Sequence, residues 1–183
     1  HCREKKKYFR FLNVASLDKN KGHETLLRAF AIVYRKNSEV ELYIVGEGEE
    51  KNYLKMLSKK LGVKDKVFFL GMLDRDQVRK EMWKTDAFVL SSYYETFGVV
   101  LIEALASGKP IISTACGGPD CIVNHNNGLL VENGNFNQLA FAMLSIIQDI
   151  KFYDPVKLRD DCISKFGEDK IIQELTEIYK KFN

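Results

Sequence analysis

Short apolar runs recur along the chain at 9–15, 40–45, 67–70, 87–90, 110–113 and 128–131. Several are almost continuous, as in AFVL at 87–90. That pattern marks strands covered on both faces, because a strand with one wet face alternates apolar and polar residues. Between the runs the period lengthens. In HETLLRAFAIVYRK (23–36), Leu26, Leu27, Phe30 and Val33 fall on one helical face. In residues 49–62, Tyr53, Leu54, Leu57 and Leu61 repeat the pattern, and Gly62 is a stop signal. Further helices are expected at 75–84, 98–107, 136–148 and 168–180. Strands alternating with helices through short connections predict an α/β fold, a doubly wound Rossmann-like parallel sheet flanked by helices. The last helix has an apolar stripe and a basic end, suited to pack back on this domain or to reach another.

Composition narrows the function more than the fold. With 45% hydrophobic and 29% charged residues, the 183-residue chain can bury a core. No linker, repeat or low-complexity run divides it, so residues 1–183 read as a single domain. A net charge of +3 is too even to indicate a nucleic-acid partner. No apolar run approaches the roughly 18 residues of a membrane span. The chain begins HCREKKK, without Met or an apolar leader core, and is expected to be a piece of a longer protein. Cys2, Cys116, Cys121 and Cys162 form no Cys-x-x-Cys pair, and no His is spaced for zinc. Free, reduced cytosolic thiols and no metal site are expected.

In an open parallel sheet, ligands bind where loops leave the carboxyl ends of the strands. The first such loop, SLDKNKGHET, places Lys21 and Gly22 ahead of a helix. It suits an anion site as well as a solvated turn. The second, GEGEE, lacks the third glycine of a dinucleotide fingerprint and carries three glutamates, so it is no phosphate cradle. Gly46 there would allow close approach of a ligand. In the third, GMLDRDQ, Gly71 ends the strand and Asp74 is a candidate N-cap. The fourth is YYETFGVVLIEALASGKPIIS (93–113). A helix starting near Gly98 would aim orphan amides of Phe97, Gly98 and Val99 into the cleft. Glu95 and Glu103, eight positions apart, could then grip two ends of an extended ligand, each carboxylate taking vicinal hydroxyls. Alternatively, Glu95 serves the helix dipole and Glu103 is solvated. An acid embedded in VVLIEALA points to a partner. The fifth loop carries Gly117-Gly118, free to take unusual backbone angles.

Together these segments resemble the C-terminal, donor-binding domain of the retaining glycosyltransferases of family 4, which have the GT-B architecture. They occur in the family's order: Lys21-Gly22, VGEGE, FLGML, ETFGVVLIEALASGKPII, GGPD and NGLLV. The fourth is the specific one, a Glu-x7-Glu motif with Phe-Gly inside and a Gly-Lys-Pro-Ile tail.

The resemblance implies the nucleotide-sugar half of an enzyme that moves a sugar from a UDP- or GDP-sugar to a hydroxyl on a glycan or lipid, as in polysaccharide or lipopolysaccharide biosynthesis. It implies that Lys21 contacts the diphosphate and Glu95 the donor sugar, the two residues assigned to catalysis. It further implies that Glu103 takes the ribose diol, and that the backbone of Phe97, Gly98, Val99 and Val100 holds phosphate and sugar. The base would lie near Gly71 and Met72, with Gly117 and Gly118 around the sugar. No cofactor and no metal are implied. The acceptor would come from an N-terminal domain absent from this chain, so the isolated domain is expected to bind donor without transferring sugar. A cytoplasmic location is implied, with membrane docking confined to the full-length protein. One departure stands out. Ala15-Ser16 occupies the place of the family's Gly-Arg, replacing a charged bidentate contact by a neutral one at a cost on the order of 1 kcal/mol. Asp120 stands where glutamate is common. These changes leave a second reading, a non-catalytic or degenerate nucleotide-diphosphate-binding module. A nicotinamide-dependent dehydrogenase half is excluded by the missing G-x-G-x-x-G after the first strand.

Overall fold

Six strands form one sheet in a computed structural model that describes residues 8–180. They are β1 (Phe9–Val14), β2 (Val40–Val45), β3 (Val67–Gly71), β4 (Ala87–Leu90), β5 (Ile111–Thr114) and β6 (Gly128–Val131). Their order is β3-β2-β1-β4-β5-β6, and all pairings are parallel. The connecting helices are α1 (His23–Lys36), α2 (Lys51–Lys60), α3 (Arg75–Lys84), α4 (Val99–Ala106) and α5 (Phe136–Asp149), followed by α6 (Pro155–Phe166) and α7 (Glu168–Lys180).

Neighbouring residues of a strand point to opposite faces, so each central strand feeds two cores. Phe11, Ala87, Val89 and Ile112 join the apolar faces of α1, α2 and α5. Leu12, Phe88, Leu90 and Ile111 join α3, α4 and α6 on the other side. All four residues of β4 are buried. The expected doubly wound sheet is therefore present.

The sequence-based elements agree with the structure to within two residues at each end, except that α6 was not foreseen. Asp154 caps it, accepting from the amides of Val156 (2.8 Å) and Lys157, and Pro155 opens its first turn. Only Leu158 and Cys162 are buried along it, too narrow a stripe to stand out as periodicity. The Asp-Pro pair was the available signal. The final helix α7 follows one residue later and has no buried residue. Cys116, Cys121 and Cys162 are free, while Cys2 lies outside the described residues. Among the described residues, no helix is long and apolar enough to cross a membrane.

Candidate functional site

The strand order turns back between β1 and β4. Connections from β1 run outward to β2 and β3, then return past β1 to β4. Such a switch point is where parallel sheets place their ligand crevice, between the loops at the carboxyl ends of the two strands; here those loops meet directly. The loop 15–22 forms one wall and the loop 91–98 the other.

Hydrogen bonds cross between these walls. The Ser91 hydroxyl donates to the Lys21 carbonyl at 2.9 Å. The Tyr93 amide donates to the Asn20 carbonyl at 2.7 Å, and the Asn20 side chain donates back to the Tyr94 carbonyl at 3.1 Å. At the mouth, Lys21 Nζ donates to Glu95 Oε2 at 2.9 Å. The loop after β5 closes on the same place. Glu95 donates its amide to the Cys116 carbonyl (3.0 Å) and accepts from the Gly118 amide (2.8 Å).

Gly98 is the N-cap of α4, with φ 91 and ψ 46. A side chain is rarely tolerated there, and glycine has none to cap with, so the first-turn amides are left without a side-chain partner. Gly118 is required by close approach, since a Cβ there would lie 2.2 Å from the Phe97 Cα. The glycine pair is thus packed against the backbone that opens α4. Beside Gly46, the space expected for a ligand is taken by the Ala15 carbonyl, which a Cβ would meet at 1.9 Å. Close approach holds at Gly46, but the neighbour is this chain's own backbone.

A cavity of about 930 Å³ adjoins the crevice, lined by Val14, Leu73, Arg75, Trp83, Val99, Glu103 and Arg159 among others. Its size suits a nucleoside-sized ligand, within the roughly 300–1,000 Å³ of small-molecule sites. Glu103 was expected to have a partner, yet among the described residues it makes no side-chain hydrogen bond or ion pair. Its side chain is exposed, as the solvated alternative expected, so the carboxylate meets water and is open to a ligand entering the cavity. Gly71 ends β3 near this region, while Met72 is 79% exposed and the adjacent Leu73 lines the cavity instead.

Ser16 is committed elsewhere. Its hydroxyl donates to Asp18 Oδ2 at 2.5 Å, and Asp18 Oδ1 accepts from the Asn20 amide. The serine hydroxyl, first, holds the Asp18 carboxyl below its usual range. Position 16, where the family pattern has a guanidinium, thus holds a neutral hydroxyl already given to an acid two residues on.

Sequence reasoning missed three features. Arg75, Arg79 and Trp83 recur every four residues along α3 and share the cavity face. Arg159 comes from the unforeseen α6. His23 is buried at the start of α1 and hydrogen-bonded to Asn13. The chain also holds one Asp-x-Asp, Asp74-Arg75-Asp76, but Asp74 caps α3 and Asp76 pairs with Arg79. Among the described residues, no cluster of three His, Cys, Asp or Glu is arranged to hold a metal ion.

A family model described as glycosyl transferases group 1 matches residues 2–165. The chain belongs to this family. An uncharacterized glycosyltransferase of Methanocaldococcus jannaschii is 33% identical over 172 residues, covering 92% of this chain and 44% of that protein. The lipopolysaccharide core biosynthesis glycosyltransferase LpsE of Rhizobium meliloti is 36% identical over 130 residues, covering 70% and 36%. Among solved structures, Anabaena HepE in complex with UDP matches with a TM-score of 0.85 at 26% identity, over 96% of this chain and 49% of that one. HepE has also been solved with UDP-glucose. The chain spans less than half the length of these relatives. Its fold is that of one half of a GT-B glycosyltransferase.

Proposed function

We propose that this chain is the donor-binding half of a retaining glycosyltransferase that uses a UDP- or GDP-sugar, with an acceptor hydroxyl on a glycan or lipid. The observation that carries the reading is Glu103, an unpaired carboxylate on the wall of a nucleoside-sized cavity, one turn inside a helix whose opening amides are uncapped. HepE, which is similar over nearly all of this chain, binds UDP and UDP-glucose. In this reading Glu103 accepts from the ribose diol, and the amides at Val99 and Val100 with Lys21 hold the diphosphate. Glu95 meets the sugar, with Gly117 and Gly118 behind it.

Cleavage of the sugar–phosphate bond leaves negative charge on the departing nucleoside diphosphate. A lysine and helix-end amides brought to that position would stabilise it. The reading calls for no metal and no cofactor. The acceptor, the second domain and any membrane contact belong to the rest of the enzyme, and this half alone is proposed to bind donor without transfer. A second reading, binding without catalysis, is favoured by Ser16, whose hydroxyl is held by Asp18.

Calorimetric titration with UDP, GDP and ADP tests the donor reading. One nucleoside diphosphate should bind saturably, and Glu103→Ala should weaken it about tenfold or more, as for loss of a charge-assisted hydrogen bond. Its thermal midpoint should hold, since Glu103 has no protein partner to lose. Binding of none of the three by folded protein would refute the reading.

A further inference from the structure

Lys21 and Glu95 are assigned to two parts of one donor, yet in the structure they hold each other. The ion pair measures 2.9 Å, with side chains only 22% and 18% exposed. It spans the crevice at the strand switch point, from the wall after β1 to the wall after β4. Neither end is a free arm. Lys21 is anchored through its carbonyl to Ser91, and Glu95 through its amide and carbonyl to Cys116 and Gly118.

We propose that this pair is an autoinhibitory strap: a diphosphate must take Lys21 from Glu95, and only the carboxylate so released can bind the sugar's hydroxyls. The inference rests on the donor reading above and adds an order of events to it. A diphosphate offers Lys21 more negative charge than one carboxylate does, so the exchange favours the ligand at the lysine. It also leaves Glu95 beside a like charge, which costs free energy. Hydroxyls of an attached sugar donate to the released carboxylate and offset that cost. A bare nucleoside diphosphate has no such donors. The strap therefore discriminates the whole donor from the spent nucleotide, which leaves as Lys21 and Glu95 rejoin. The two contacts are linked reciprocally, so each strengthens the other.

Inorganic pyrophosphate tests the strap without depending on the base. By calorimetry, Glu95→Gln should bind pyrophosphate about fivefold more tightly than wild type, as for removal of a partly exposed ion pair. Glu39→Gln removes the same charge from an exposed residue at the amino end of β2, and should leave affinity unchanged. The double variant Lys21→Gln/Glu95→Gln should lose the gain. With UDP-glucose or GDP-mannose, Glu95→Gln should narrow the preference for sugar nucleotide over bare nucleotide. No gain in Glu95→Gln, an equal gain in Glu39→Gln, or no pyrophosphate binding to any of the proteins would overturn the strap. Failure of the donor reading looks different: pyrophosphate would still report the strap, while UDP and GDP would bind without dependence on Glu103.

Discussion

His23 Nε2 lies 3.0 Å from Asn13 Oδ1, and Asn13 Nδ2 donates to the Val89 carbonyl at 2.9 Å. This polar chain bridges α1, β1 and β4 at the point where the sheet reverses, with both side chains fully buried. Because the asparagine nitrogen donates to a carbonyl, its oxygen must accept, and His23 is the donor. The other ring nitrogen, Nδ1, is buried without a partner. A neutral imidazole with its proton on Nε2 satisfies this arrangement, and burial lowers the His23 pKa to about 4.

Stability should therefore depend on pH through His23. The unfolded chain takes up a proton near the ordinary histidine value, while the folded chain resists until about pH 4. The contribution is fully present above pH 6.5 and is lost as pH falls through that window. Between pH 7.5 and pH 5 the loss should be about 2 kcal/mol. His23→Gln keeps a donor for Asn13 but cannot titrate. Urea unfolding at the two pH values should show a smaller loss for the variant; equal losses would sink the assignment.

Position 16 sets the strength of diphosphate binding on the donor reading. Ser16→Arg restores the guanidinium of the family pattern and removes the hydroxyl now given to Asp18. Affinity for UDP or GDP should rise about fivefold to tenfold, by the difference between a charged and a neutral hydrogen bond. Unchanged affinity would mean that position 16 does not face the phosphates.

Gly118 couples the loop after β5 to the start of α4. A methyl group there would overlap the Phe97 Cα, Phe97 N and Phe97 C, all within 2.6 Å. Backbone cannot swing aside as a side chain can, so Gly118→Ala should destabilise the protein by about 2–3 kcal/mol. The same shift should displace the uncapped amides and weaken nucleotide binding. A normal melting midpoint with normal binding would contradict this packing role.

The last helix adds little to this domain. Ile171, Ile172, Leu175 and Ile178 of α7 are 46–53% exposed, and none of its residues is buried. Ending the chain after Gly167 should shift the thermal midpoint by no more than about 2 °C, given how little apolar surface is lost. It should also reduce self-association, because a half-exposed apolar stripe is removed. A drop of ten degrees would show that α7 supports the fold.

Residue pattern alone determined the strands, most of the helices and the loops that carry the chemistry. Runs such as AFVL can be stable only between two apolar layers, and the 3.6-residue period in α1 requires a helix with one dry face. Capping chemistry at Asp74 was equally local and legible. The Glu95–Glu103 spacing on either side of Gly98 was read in the same way. Tertiary structure decided what local pattern cannot contain. The order β3-β2-β1-β4-β5-β6 follows from how helices cover both faces of a twisted sheet, and it alone brings Lys21 within 2.9 Å of Glu95, 74 residues away. It likewise placed Asn13 and His23 in the core, filled the space beside Gly46 with the Ala15 carbonyl, and left Glu103 unpaired on a cavity wall. Each depends on which loops share a sheet edge, a relation of charge and volume across long chain separations that no local period encodes.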